Sequence, residues 1–234
     1  MFRTTKFALV LIALLAAIVA IPSEISAREN SLKKDKWALQ FRVANFVNLG
    51  SFQGSTLSIK KHTSDRAAWR LGFTLHFNTR NESTEVLIYS TNAPGHNDLT
   101  DITFRISAQK ILYVNPQSDI NFFWGFGPLY SYRYFLSDSD NKTSDGQFQQ
   151  RFWREDHTWL LGLTGIIGVE WFATKSISFL AEYETSASYS ERSQRVIRRR
   201  VTSGNVNYNL DTTNKLNEIK FSSSQVKLGL SVYF

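Results

Sequence analysis

The chain has 234 residues, with 27 Lys plus Arg against 20 Asp plus Glu, a formal net charge of +7 and no cysteine. The missing cysteines exclude disulfides and thiolate metal sites, so an exported chain of this size must be held by its core or by lipid. The mean hydropathy of −0.25 excludes helical membrane spans after the first residues. It does not exclude a transmembrane barrel, whose strands are apolar on one face only.

Residues 1–27 have the anatomy of a secretory signal. Arg3 and Lys6 form a basic start, Phe7 to Ile21 is an apolar run, Pro22 ends it, and Ile25-Ser26-Ala27 offers a cleavage site. The run falls short of the roughly 20 residues a membrane helix needs. Cleavage after Ala27 is expected, followed by a short linker over 28–36 and one barrel domain over 37–234.

From residue 37 a period-2 alternation recurs eight times, as expected of strands with one apolar face. The first strand turns Trp37, Leu39, Phe41 and Val43 outward; the second, which is short, Leu57 and Ile59; the third Ala67, Trp69, Leu71, Phe73, Leu75 and Phe77. The fourth has Ile102, Phe104, Ile106 and Ala108, with Lys110 marking a snorkelling side chain or a bulge. The fifth has Ile120, Phe122, Trp124 and Phe126, running on into Tyr130, Tyr132 and Tyr134. The sixth has Trp159, Leu161, Leu163, Ile167, Val169 and Trp171; the seventh Ile177, Phe179, Ala181 and Tyr183; the eighth Val226, Leu228, Leu230, Val232 and Phe234. The connections alternate in length. His62–Arg66, Asn115–Asp119 and Ala173–Ser176 are short, whereas Val47–Ser55, Asn78–Leu99, Ser137–Asp156 and Glu191–Asn217 are long. That asymmetry, with Trp and Tyr toward strand ends, predicts an all-β, eight-stranded antiparallel up-and-down transmembrane β-barrel with short periplasmic turns and long outer loops.

The opposite face carries charges of both signs: Arg42, Lys60, Arg70, Arg105 and Arg133, then Glu170, Glu182 and Glu184, and Lys227 on the last strand. An eight-stranded barrel is just wide enough for side chains to fill, so a lumen ion-pair network is expected, with a narrow polar pore for small solutes as the alternative. The last long loop holds Arg192, Arg195, Arg198, Arg199 and Arg200, an expected anion-binding loop facing lipopolysaccharide phosphates or acidic polymers. Four scattered histidines carry no triad spacing. His62-Thr63-Ser64 falls on a periplasmic turn, and His157 with Ser137 is the better placed pair for lipid A chemistry, so no catalytic residue, metal site or cofactor is expected.

The ending, Lys227-Leu228-Gly229-Leu230-Ser231-Val232-Tyr233-Phe234, resembles the signal read by the outer-membrane barrel assembly machinery, with Lys227, Gly229, Val232 and Phe234 at its four marked positions. Gly168 to Tyr183 and Ala67 to Phe73 resemble the sixth-to-seventh and third strands of small outer-membrane barrels of the OmpA/OmpX-like group. The resemblance implies a barrel in the cell outer membrane, with lipid and lipopolysaccharide around it, no periplasmic peptidoglycan-binding domain after Phe234, and no nucleic acid partner. A monomer is expected, with a structural or surface-interaction role carried by the outer loops.

Overall fold

Trp37 and Phe234 exchange both backbone hydrogen bonds, at 3.1 and 3.0 Å, which sets the two ends of the strand series side by side. The computed structural model describes residues 31–43, 55–88, 91–142, 148–202, 205–223 and 226–234. The signal expected over 1–27 and most of the connection Val47–Ser55 lie outside the described residues. The strands are Trp37–Val43 (β1), Ser55–Ser64 (β2), Ala67–Ile88 (β3), Thr91–Tyr113 (β4), Ile120–Lys142 (β5), Phe148–Phe172 (β6), Ile177–Thr202 (β7), Asn205–Ser223 (β8) and Lys227–Tyr233 (β9).

Every pairing is antiparallel. The ring runs β1 to β7 in order and closes through β9, which pairs with β7 on one side and β1 on the other. β8 pairs with the far half of β7, Thr185 to Thr202, on the edge whose near half, Ile177 to Glu182, pairs with β9. The two therefore form one interrupted strand, and the ring has eight members as the alternation predicts.

The outward face of the ring is apolar. Leu163 is 65% exposed, Ile167 62%, Phe122 58% and Phe126 55%, while the alternate residues Gln40, Arg70, Asn121 and Glu170 are buried at 1% or less. This is the reverse of a soluble barrel with an apolar interior. Trp37, Trp69 and Trp171 lie outward near the short-turn end. Tyr130, Tyr132, Trp159 and Tyr189 lie outward at the other end of the belt, with the Trp159 and Tyr189 rings 5.5 Å apart. Lys110 faces outward between Trp69 and Phe126 with no change of register around it, so it marks no bulge.

Three expected loops are strands. The described residues of Asn78–Leu99, Ser137–Asp156 and Glu191–Asn217 form the upper arms of the β3–β4, β5–β6 and β7–β8 hairpins. A strand wet on both faces shows no apolar alternation, so its sequence reads as loop. Cross-strand ion pairs hold these arms instead, among them Arg151 with Asp138 and Arg195 with Asp211, each at 2.7 Å. β7 is 26 residues long, and a tilted membrane strand needs only about 9–11. At about 3.3 Å per residue the arm beyond Tyr189 rises roughly 30 Å above the belt. Among the described residues, the projection is built by β3 to β8.

Candidate functional site

The lumen is filled in layers, each centred on a carboxylate. At the short-turn end an apolar floor gathers Leu32, Ala38, Ala68, Ile111, Tyr113, Phe123, Ile166, Phe172 and Tyr233. Leu32 belongs to the segment expected as a linker, yet it is 2% exposed. The Asp35 N–H donates to the His62 carbonyl at 2.9 Å, which folds this segment against the end of β2. Asp35 itself adopts a positive φ of 66°.

Above the floor, Glu170 accepts hydrogen bonds from Ser178 at 2.5 Å, Tyr113 at 2.6 Å, Tyr233 at 2.7 Å and Lys60 at 3.0 Å. The Lys60 ammonium also donates to both tyrosine oxygens. In the next layer Glu182 takes Arg42 on one oxygen and Arg70 on the other, the latter at 2.7 Å. Ser58 accepts from Arg42 Nη2 and Gln109 from Arg70 Nε and Nη2, at 2.5–2.8 Å, while Arg42 Nε has no hydrogen-bond partner among the described residues. Higher still, Glu184 joins Lys227, at 2.6 Å, to Arg105. Eight of the nine expected network residues thus meet. Arg133 does not: it lies above them at the mouth, 51% exposed at its side chain, and pairs with Asp101 at 2.7 Å.

Glycine makes room for the middle layer. A Cβ on Gly229 would lie 2.5 Å from the Phe41 carbonyl oxygen and 2.7 Å from Arg42 Cγ; one on Gly72 would lie 2.9 Å from Ser107 Oγ and 3.2 Å from Arg42 Nη2. Gly229, expected as part of an insertion signal, therefore also has a packing reason to lack a side chain. Of the other signal positions, Val232 and Phe234 face outward and Lys227 faces the lumen.

At the mouth, Asp156 is buried between Arg154 at 2.8 Å and Arg192 at 2.5 Å. Burial alone would raise its carboxyl; the hydrogen bonds from the two arginines outweigh burial and hold it below the ordinary carboxylate value. A cavity of about 150 Å³ opens here, lined by Arg133, Phe135, Asp156, Arg192, Leu216 and Lys220 among others. The five arginines expected as one anion-binding loop lie along β7, so they alternate faces. Arg192, Arg198 and Arg200 continue the lumen-facing side, while Arg195 and Arg199 face outward. Arg195 is matched by Asp211, whose carboxyl a hydrogen bond from Arg195 holds below its ordinary value.

His62 and His157 lie on opposite faces of the ring. His62 is buried in the lumen against the Tyr113 ring, 5.5 Å between centroids, not on a turn, because β2 continues to Ser64 through a bulge. His157 faces outward with Tyr132 at 2.8 Å, whereas Ser137 pairs in register with Arg154 on the inner face. Sequence reasoning missed the apolar floor. Its signal was present: Tyr113, Phe123, Phe172 and Tyr233 are aromatic at positions of the polar parity near the short turns.

No protein-family model matches the chain, and no curated protein matches its sequence. Among solved structures, a crystal structure of CarO from Acinetobacter baumannii is similar at 8% identity and a TM-score of 0.39, over 88% of this chain and 100% of that one. The barrel architecture rests on the chain's own strand pairing.

Proposed function

We propose that the chain is an integral outer-membrane barrel with a sealed lumen, and that its work is done by the sheet raised above the membrane. The observation that carries this reading is the inversion of the ring, a continuous exposed apolar belt around buried charge. Soluble monomers rarely expose apolar patches beyond a few hundred Å², whereas lipid covers such a belt without cost. Trp and Tyr at both rims fit the two membrane–water interfaces. Support for the sealed lumen comes from Glu170, Glu182 and Glu184, each tied to at least one cation and to groups from other strands. The role is non-catalytic, and the protein acts as a monomer that is surrounded by lipopolysaccharide on its outer side and is inserted through the edge that carries Lys227, Gly229, Val232 and Phe234.

Reconstitution tests both halves of the reading. The protein should fractionate with outer membranes, run on gels with a mobility that shifts on boiling, and leave a planar bilayer without steady current. A soluble protein of unchanged mobility would refute the membrane location, and ohmic conductance would replace the sealed lumen with a narrow pore.

A further inference from the structure

Strand alternation sorts the charges of the raised sheet onto its two sides. Even-numbered residues of β6 and β7 line the lumen below, as Glu170, Glu182 and Glu184 do, so the same parity faces the concave side above. On the convex side several charges are paired, Arg151 with Asp138, Arg195 with Asp211 and Lys142 with Asp140 at 3.1 Å, while Arg199 lies beside Arg151 in register. On the concave side above Asp156, the register gives three successive rows across β5, β6, β7 and β8. They are Ser137, Arg154, Val196 and Thr212, then Ser139, Phe152, Arg198 and Leu210, then Asn141, Gln150, Arg200 and Tyr208. None of these rows contains an Asp or Glu.

The Arg198 guanidinium lies over the Phe152 ring at 5.3 Å from its centroid, which fixes its plane while leaving its donors to solvent. Tyr208 is 48% exposed beside it. A cleft of about 600 Å³ is lined by Gln150, Phe152, Arg198, Arg200 and Tyr208 of these rows, and also by Arg151 and Arg199 of the other parity. The combination is a held guanidinium, an open aromatic face and a neutral amide, with no carboxylate to repel an anion. Guanidinium matches the two oxygens of a phosphate or carboxylate, an aromatic face covers the C–H side of a sugar ring, and an amide serves hydroxyls.

We propose that this concave cleft binds an anionic saccharide, a sugar bearing phosphate or carboxylate groups. The proposal names the ligand class for the surface role given above and rests on that reading only for which side of the membrane the cleft faces. The sugar can come from the surrounding lipopolysaccharide or from a soluble acidic glycan.

The test is titration of the detergent-solubilised full chain with three probes: deacylated phosphorylated lipopolysaccharide core, an oligogalacturonate and a neutral malto-oligosaccharide. At least one charged probe should bind and the neutral one should not. Arg198→Ser should weaken binding about tenfold or more, the scale of a lost charged hydrogen bond, while Arg195→Ser on the convex side changes it less than about twofold. The preferred charged probe separates the two sources. Each variant's heat-shifted gel mobility reports its fold. No binding of either charged probe, equal binding of the neutral one, or equal weakening by Arg195→Ser would overturn the site. Binding in detergent is read independently of fractionation and conductance, so failure here leaves the barrel reading standing, and the converse holds.

Discussion

Glu182→Gln isolates the charge of the middle lumen layer while keeping its shape. Glu182, Arg42 and Arg70 are each about 1% exposed, and the one carboxylate serves both guanidiniums. With an effective dielectric near 20, each contact at about 4 Å carries roughly 4 kcal/mol of attraction, so the substitution removes about 8 kcal/mol. Against this, the neutral amide no longer bears the several kcal/mol of carboxylate desolvation. The net destabilisation expected is about 3–5 kcal/mol, the range for a buried pair that loses one partner. The double variant Arg42→Met with Glu182→Gln removes one of the two stranded cations. It should therefore be less destabilised than the sum of its parts, with a coupling of about 1–3 kcal/mol. Urea titration in phospholipid vesicles, with the folded fraction read as the unboiled gel band, measures both. A Glu182→Gln variant within about 0.5 kcal/mol of the parent, or strict additivity, would mean that water already solvates the layer, and the sealed-lumen reasoning would fail.

Leu163→Arg puts a charge in the middle of the lipid belt and should cost about 2–4 kcal/mol in the same titration; an unchanged midpoint would move the belt elsewhere. Gly229→Val pushes a side chain into the Phe41 carbonyl and Arg42, and should lower the yield of heat-shifting protein in a refolding assay; normal yield would show that β1 and β9 tolerate a wider spacing. The Asp156 carboxyl is held low in the folded protein, so its contribution is fully present above about pH 3.9 and is lost as pH falls through the lower folded value. Amide exchange at the mouth, corrected for intrinsic rate, should stay flat from pH 7 to about pH 5 and rise only below about pH 4; a rise near pH 6, or the same profile in Asp156→Asn, would contradict the arrangement.

The belt was legible because a strand with one apolar face imposes one rule on every second residue. Leu71, Phe73 and Leu75 alternate with Arg70, Gly72 and Thr74, and no helix period fits them. The lumen network was legible for the same reason, since Arg42, Lys60, Glu170 and Glu182 sit at the opposite parity of otherwise greasy strands. Arg133 was misplaced because parity gives a side but not a height. The hairpin arms were illegible: Ser137 to Asp156 is polar on both faces, and what holds it is pairing between strands, such as Arg151 with Asp138, that a single sequence does not display. The Arg198-Arg199-Arg200 run looked like one patch; extended backbone alternates its members in parity, although all three line one cleft.

The ring's closing contact has a consequence for the order of assembly. The β3–β4, β5–β6 and β7–β8 hairpins each need only a local turn, so they are the early units. The seam between β1 and β9 joins Trp37 to Phe234 and can zip only last. Arg42 lies on one side of that seam and reaches Glu182, 140 positions away, on the other. Until the seam shuts, these groups line a wet trough; when it shuts, they lose water and gain partners in a single event. Dehydration of the interior and completion of the wall are thus one step, and a barrel halted short of it remains an open polar gutter that lipid cannot enclose.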